Sequence, residues 1–251
     1  MIICEIGLNH LGDESYSKYY FDTLSKSHCD AISYQIREPE AYNDQRYKGY
    51  QLSLEHYYKL KSISKKKFGF ALADHNLLDE IDQIDPDFYK VLSWDLNNYE
   101  YIDRLLDKTD NNIYVSTGTS SINDLNNFFS RYGENNQINF IHTQLTEKPE
   151  DANLKAIKVL SRKFSYGIGY GNHCSNLKLI LASIAFEPKD IWFYVKGNIS
   201  DNKYFKDNRK TYPDDSWAVS LDMVDSIIND IKTISLSVGD GLKSGINTQG
   251  Y

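Results

Sequence analysis

The sequence has few cysteines, which cross-link a chain, and few prolines, which kink it. It contains three cysteines and five prolines among 251 residues. The cysteines are odd in number and show no Cys-x-x-Cys spacing, so the chain lacks the signature of a disulfide framework or of the common zinc motifs. Cys4 and Cys29 lie in or beside apolar runs, which predicts buried thiols in a reducing cytoplasm.

Long apolar runs and excess positive charge are also missing. No stretch approaches the ~20 apolar residues that a membrane span needs. The net charge of −7 argues against a nucleic-acid partner, which requires a basic surface. Met1 begins directly on an apolar run and leaves no room for a signal peptide. We therefore expect a cytoplasmic protein with neither a membrane nor a nucleic acid as partner.

Short apolar runs alternate with amphipathic helical patterns along the chain. Most runs are continuously apolar, as in strands that are covered on both faces. We predict strands at residues 1–7, 31–36, 68–73, 88–92, 113–116, 138–143, 166–170 and 191–196. We predict helices at residues 14–28, 53–64, 77–84, 99–106, 122–132, 152–163, 177–186 and 216–237. Eight such β-then-α units predict an α/β fold, a (β/α)8 TIM barrel that forms a single domain over residues 1–251.

Polar residues follow the predicted strands, where a barrel places its functional site. They are Glu5, Asn9 and His10; Ser33, Gln35 and Arg37; Asp74 and His75; Lys90, Ser93 and Asp95; Ser116 and Thr117; His142, Thr143 and Gln144; Asn172 and His173; and Lys196. The histidines supply a metal site only if two or three ligands converge; a lone histidine is more often structural. The polar stretch 197–215 after the last strand predicts a mobile loop.

Lys90 is the most informative of these residues because it interrupts an apolar run, Phe88–Leu92. A lysine that points into a barrel binds an anion or forms a Schiff base; the alternative is a side chain that snorkels to solvent. The Ser/Thr-rich turn 116–121 before a helix offers hydroxyls and backbone N–H groups to an anion. Together with Lys90 and Ser93, this turn predicts a pocket for a phosphate or a carboxylate.

The strand-end motifs resemble those of the sialic acid synthase family, enzymes that condense phosphoenolpyruvate with an N-acetylated sugar. The segment from Glu5 to Asp13 is similar to the family's EIGxNHxGD, and Asp30–Gln35 to its DAVKFQ. Further matches follow in the family's order: Tyr89–Leu96 (KIxSxDL), Val115–Gly118 (LSTGM), Pro149–Leu154 (PxEDVNL), Gly167–His173 (xGYSDH), Pro213–Asp215 (GPDH) and Gly239–Lys243 (GDGxK). The resemblance covers nearly the whole chain.

This resemblance implies a role for each matching residue. Lys90, Ser93 and Ser116 would hold the phosphate of phosphoenolpyruvate, and Asp214 would meet the sugar. The candidate catalytic residues are Glu5, Gln35, Lys90 and Asp95; the candidate substrate-binding residues are Asn9, His10, Ser93, Ser116, Thr117 and Asp214. Asp95 would touch metal-bound water, and His173 would bind a divalent ion, manganese or magnesium, that polarises the sugar carbonyl.

The chain also departs from the family pattern. Ser33 replaces the lysine of DAVKFQ, with Arg37 as the candidate substitute, and the Asn and Tyr that follow strand six in the family are absent. On our alignment Val195 and Phe193 fall where the family has its second metal histidine and the glutamate of that motif. We therefore expect an incomplete site that binds a divalent metal weakly or not at all. The family's C-terminal antifreeze-like domain is missing, which predicts a homodimer or a separate partner polypeptide.

Three functions fit these observations. The first is a transferase of the family type, which condenses phosphoenolpyruvate with an N-acetylated amino sugar to give a nonulosonic acid for surface glycans. The second is an aldolase or lyase that forms a Schiff base on Lys90 or Lys196. The third is an inactive relative that binds a sugar or a partner enzyme. The number of retained polar residues at the strand ends favours the first.

Overall fold

The computed structural model describes residues 1–198 and 212–241, and its centre is a closed parallel barrel. Each strand pairs with the next in the chain, and β1 also pairs with β8, which closes the ring. The barrel strands are β1 (Ile2–Gly7), β2 (Ala31–Ile36), β3 (Lys67–Leu72), β4 (Phe88–Val91), β5 (Asn112–Ser116), β6 (Ile138–Thr143), β7 (Gly167–Asn172) and β8 (Ile191–Lys196). The predicted (β/α)8 barrel is confirmed.

Helices cover the outside of this barrel. They are α1 (Glu14–Lys26), α2 (Pro39–Asn43), α3 (Leu54–Ile63), α4 (Leu78–Asp82), α5 (Tyr99–Lys108), α6 (Ile122–Tyr132), α7 (Lys155–Lys163), α8 (Lys178–Ser183) and α9 (Val224–Val238). Ser53 and Ser121 cap α3 and α6 through their hydroxyls, as their positions before helical patterns predict. None of the helices within the described ranges is long and apolar enough to cross a membrane.

The observed elements differ from the predicted ones in three places. The short helix α2 and the two-residue strand β9 (Val219–Ser220), which pairs with β8, were not predicted. The last helix begins at Val224 instead of residue 216, because β9 and a 3₁₀ turn occupy the intervening residues. Of the predicted mobile loop 197–215, residues 199–211 lie outside the described residues, as do the last two residues of the 239–243 motif.

Two apolar cores result from the alternation of side chains along each strand. The larger one lies between the strands and the helices. The smaller one fills the barrel interior with Ile3, Ala31, Phe88, Tyr114, Ile141 and Trp192. Phe88, Tyr114 and Trp192 pack edge to face with ring centroids 4.9–5.7 Å apart, and Gly69 leaves room for the Phe88 ring, 2.4 Å from where a Cβ would stand. This plug directs any ligand to the other end of the barrel.

Candidate active site

The layer directly above this plug is polar. Each strand residue two positions beyond a member of the inner core points inward at the C-terminal mouth, since side chains alternate with a period of two. The layer comprises Glu5, Ser33, Lys90, Ser116, Thr143 and Tyr194. Three of these six residues were candidates for the site, Glu5, Lys90 and Ser116, and the barrel places them in one layer.

Lys90 and Glu5 form a buried ion pair at the base of the mouth. Lys90 Nζ donates to Glu5 Oε1 at 2.5 Å, and both side chains are almost fully buried. The ammonium also lies 5.3 Å from the ring centroid of Trp192 and 5.8 Å from that of Tyr194, within range of cation–π attraction. The alternative of a snorkelling Lys90 is therefore wrong; its charge is held inside the barrel.

Hydroxyl and amide groups converge beside Lys90. Ser93 Oγ donates to Ser116 Oγ at 3.1 Å and accepts a hydrogen bond from the Gly118 N–H at 3.2 Å. Thr119 Oγ1 donates to the Ser93 carbonyl at 2.6 Å and ties the two turns together. Small donors next to a buried cation form a suitable cradle for an oxyanion.

An open cavity of about 150 Å³ lies above these groups. Six of the predicted site residues belong to it: Gln35, Lys90, Ser93, Ser116, His173 and Asp214 line its wall. Glu5 lies behind Lys90 as its ion-pair partner. The wall also includes aromatic residues that the sequence analysis did not single out: Tyr47, Trp94, Tyr194 and Trp217. Strand alternation identifies only Tyr194 among them, because the other three lie outside the strands.

Besides Glu5, four predicted site residues do not line this cavity. Asn9 is fully buried, donates from Nδ2 to the Val195 carbonyl at 2.8 Å and accepts from the Asp214 N–H at 3.2 Å, so it positions the loop that carries Asp214. His10 is also buried, and its Nδ1 accepts the Gly12 N–H at 3.0 Å; burial lowers its pKa to about 3. Neither side chain lines the cavity.

The other two are Asp95 and Thr117. Asp95 Oδ2 lies 3.4 Å from Nε2 of His75, whose ring stacks on Tyr101 with centroids 3.8 Å apart. Thr117 Oγ1 donates to the Ile141 carbonyl, and Thr117 lines a separate groove between α6 and α7. The predicted contacts of Asp95 and Thr117 with the reacting groups therefore find no support in the cavity wall.

Arg37, the candidate substitute for the family lysine, lines the cavity. Its guanidinium donates two hydrogen bonds to Glu38, at 2.7 and 2.9 Å, and lies 5.4 Å from the ring of Trp94. The Glu38 carboxylate raises the pKa of Arg37. Arg37 thus contributes positive charge near the entrance, whereas Lys90 lies at the base.

His173 lines the cavity, and its imidazole lies between the rings of Tyr194 and Trp217. Its Nδ1 lies 2.8 Å from Thr143 Oγ1, which donates to the Gly171 carbonyl at 2.7 Å. With that donation Nδ1 carries the imidazole hydrogen. Burial, and to a lesser extent the charge of Lys90, lower the pKa of His173 to about 3, so the ring is neutral at pH 7.

The strand-eight part of the predicted metal site needs a correction. Phe193 and Val195 belong to the outer core between strands and helices, so neither points to the mouth. The inward residues of β8 are Trp192 and Tyr194, and the Tyr194 ring lies 5.4 Å from that of His173. A shift of one residue along a strand moves a side chain to the opposite face.

These residues do not fit a divalent ion. Among residues 1–198 and 212–241, no three His, Cys, Asp or Glu side chains are grouped as ligands. Burial, followed by the carboxylates of Glu5 and Asp214, raises the pKa of the Tyr194 phenol well above its ordinary value, which keeps it neutral and a poor ligand. His173 alone offers too few donors to hold the ion.

We expect calorimetry with manganese to show little heat for the unmodified protein. The variant Tyr194→His places a second imidazole beside His173 and is expected to bind manganese at least tenfold more tightly. The double variant Tyr194→His/His173→Ala serves as the control and should lose that gain. Tight binding of manganese by the unmodified protein would contradict the conclusion that these residues do not fit a divalent ion.

Comparison with known proteins identifies relatives along most of the chain. A model described as the NeuB family matches residues 16–243. The sequence is 23% identical to N,N'-diacetyllegionaminic acid synthase of Campylobacter jejuni, over 99% of this chain and 80% of that protein. It is 26% identical to N-acetylneuraminate-9-phosphate synthase of Mus musculus, over 75% of this chain and 59% of that protein.

A solved structure supports the same fold. The N-acetylneuraminic acid (sialic acid) synthetase from Leptospira borgpetersenii superposes with a TM-score of 0.84 and covers 98% of this chain and 87% of its own. The two sequences are 20% identical. At this level of sequence identity, the superposition shows that the two proteins share the barrel fold.

Proposed function

This chain belongs to the NeuB family, and from that membership we propose that it condenses phosphoenolpyruvate with an N-acetylated amino sugar to form a nonulosonic acid for surface glycans. The family match confirms the resemblance predicted from the strand-end motifs. The observation that carries the finer proposal is Lys90, a buried cation at the base of an open cavity with the Ser93 and Ser116 hydroxyls beside it.

Lys90 and the two serines would bind the phosphate of phosphoenolpyruvate. The ammonium has one partner, Glu5 Oε1, among the hydrogen bonds of the described residues, and an ammonium offers three donors. A phosphate oxygen can therefore join Glu5 on Lys90 without breaking the pair. Since Ser33 is uncharged and Arg37 is engaged by Glu38, the phosphate depends mainly on Lys90.

The size of the cavity supports a small first substrate. A volume of about 150 Å³ is below the ~300–1,000 Å³ of pockets that enclose drug-sized ligands. The aromatic rim formed by Tyr47, Trp94 and Trp217 would then receive the sugar above phosphoenolpyruvate. Aromatic faces pack well against the apolar C–H faces and the acetyl methyl of an N-acetylated sugar.

The Schiff-base alternative receives less support from the geometry. Lys90 is paired with Glu5, and Lys196 Nζ donates to the carbonyl and the carboxylate of Asp215. Both amines are therefore held by hydrogen bonds to oxygen atoms of the protein, whereas Schiff-base formation requires the amine nitrogen to attack a carbonyl carbon. If borohydride and a keto acid nevertheless trap an adduct on either lysine, the aldolase hypothesis replaces the synthase.

The direct test measures inorganic phosphate released from phosphoenolpyruvate with a panel of N-acetylated hexosamines. We expect release that depends on both substrates, together with a product that carries the three carbons of phosphoenolpyruvate by mass spectrometry. The matched control is Lys61→Ala, which removes another lysine–carboxylate pair, Lys61–Asp87, at the opposite end of β4. Release with the control but not with Lys90→Ala supports the proposal. Absence of release with every sugar contradicts it and leaves the binding-protein hypothesis.

A further inference from the structure

Asp214 reaches the cavity from the loop after β8 and is positioned by two contacts. Its backbone N–H donates to Asn9 Oδ1 at 3.2 Å, and Asn9 in turn holds the Val195 carbonyl. Its Oδ2 lies over Gly7, 3.0 Å from where a Cβ on that glycine would stand. The carboxyl group is therefore fixed against the end of β1, on the same cavity wall as Lys90.

The surroundings of Asp214 favour its neutral form. The groups that face it are the Glu5 carboxylate from β1, the Lys90 ammonium from β4, the Tyr194 phenol from β8 and the Trp217 indole from its own loop. Burial and then Glu5 raise the pKa of Asp214 to about 7, while Lys90 and Trp217 act in the opposite direction. This carboxyl therefore keeps its proton to a higher pH than an ordinary aspartate does.

The other titratable groups of the described cavity wall suit proton donation less well. His173 is neutral, with its pKa lowered to about 3, and the pKa of Tyr194 is raised well above its ordinary value. Glu5 is engaged by Lys90, and Arg37 by Glu38. Asp215, the neighbour of Asp214, is paired with Lys196.

We infer that Asp214 is the general acid that protonates the carbonyl oxygen of the acceptor sugar. It supplies the electrophilic activation for which the described residues of the cavity wall offer no divalent-metal site. The inference rests on the proposed function. It assigns a catalytic step to a residue that the family resemblance assigns only to sugar contact. Its basis is the position of a carboxyl group beside the cavity base, next to a second carboxylate and a buried lysine.

The C2–C3 π bond of phosphoenolpyruvate breaks, and its electrons form a bond from C3 to the aldehyde carbon of the open-chain sugar. The carbonyl π bond of the sugar breaks, and its oxygen takes the proton of Asp214. C2 is left as an oxocarbenium ion, to which water adds while its proton returns to the Asp214 carboxylate. The resulting hemiketal phosphate collapses to the ketone, and inorganic phosphate leaves with the hydroxyl proton.

The experiment compares pH profiles of phosphate release for the full-length protein and Asp214→Asn, with phosphoenolpyruvate and the accepted hexosamine. For the unmodified protein we expect kcat/KM to fall tenfold per pH unit above pH 7, because only the protonated acid is active. Asp214→Asn should lower kcat at least 100-fold, leave the KM for phosphoenolpyruvate within threefold, and lose the inflection near pH 7. Asp214→Glu should recover part of kcat. The control Asp215→Asn should keep the wild-type profile.

Two further measurements separate the outcomes. First, we expect a metal chelator to leave the rate of phosphate release unchanged. Second, in a carbon-13 NMR titration of the substrate-free protein we expect one carboxyl resonance to titrate near pH 7, and we expect this resonance to be absent from Asp214→Asn. If the unmodified protein releases phosphate and Asp214→Asn keeps both kcat and the inflection, the inference is wrong while the proposed function stands. If the unmodified protein releases no phosphate with any sugar, both fall together.

Discussion

Replacing Lys90 with alanine is expected to remove detectable phosphoenolpyruvate binding and to lower the free energy of unfolding by about 3–5 kcal/mol. The loss of binding follows because Lys90 is the cation at the cavity base and Ser33 supplies no second one. The loss of stability follows because Glu5, 3% exposed, would remain as an uncompensated buried carboxylate. Calorimetry with phosphoenolpyruvate and urea unfolding measure the two effects.

A second variant separates these effects. Lys90→Met/Glu5→Gln removes both charges and keeps similar volumes, so we expect it to recover most of the stability. It should still not bind phosphoenolpyruvate, because the cation is gone. Recovery of binding would show that the phosphate site lies elsewhere, with Arg37 as the next candidate. The control Lys61→Ala, in a partly exposed pair, should cost roughly 1 kcal/mol or less and leave binding unchanged.

Replacing Gly7 with alanine is expected to reduce kcat/KM at least 100-fold. Gly7 has a φ of +57°, and a Cβ there would lie 2.7 Å from the Tyr194 ring and 3.0 Å from Asp214 Oδ2. Both side chains must move, and a displacement of about 1 Å in a reacting site costs on the order of 100-fold in rate. Steady-state kinetics with phosphoenolpyruvate and the accepted hexosamine measure this loss.

Gly133→Ala is the matched control for Gly7→Ala. Gly133 has a φ of +58° and a ψ of −146°, and a Cβ there meets nothing within 4 Å. The variant therefore carries a backbone strain on the order of 1–3 kcal/mol without the collision. We expect Gly133→Ala to lower stability by this amount and to retain full activity. Equal activity for the two variants would mean that Asp214 and Tyr194 do not need their present positions.

Within a strand, the sequence was sufficient to place the residues that share a face. The interior of a parallel barrel alternates with a period of two, so the apolar plug residue Phe88 and the charged Lys90 two positions later point to the same side. The same rule applied to β8 would have selected Trp192 and Tyr194 as the inward pair. The alignment with the family motif selected Phe193 and Val195 instead, and the strand periodicity contradicts it.

The loops were harder to predict because no period governs them. Asn9, His10, Asp95 and Thr117 all follow strands, yet their side chains bond to backbone carbonyls, backbone N–H groups or a neighbouring histidine away from the cavity. Conversely, Tyr47, Trp94 and Trp217 reach the cavity from turns between the strands and the helices. Proximity to a strand end predicts the correct end of the barrel and does not predict which way a loop side chain turns.

By itself, the sequence determined the eight-stranded barrel, the family and the polar layer at the strand ends, because each depends on local pattern or on motifs in order. Only the tertiary structure decided that Lys90 pairs with Glu5, 85 residues away, and that Asp214 comes next to both. These contacts result from closing the barrel and returning the loop after β8 over β1. The charge state of each group depends on burial and on neighbours distant in sequence, which exist only in the folded chain.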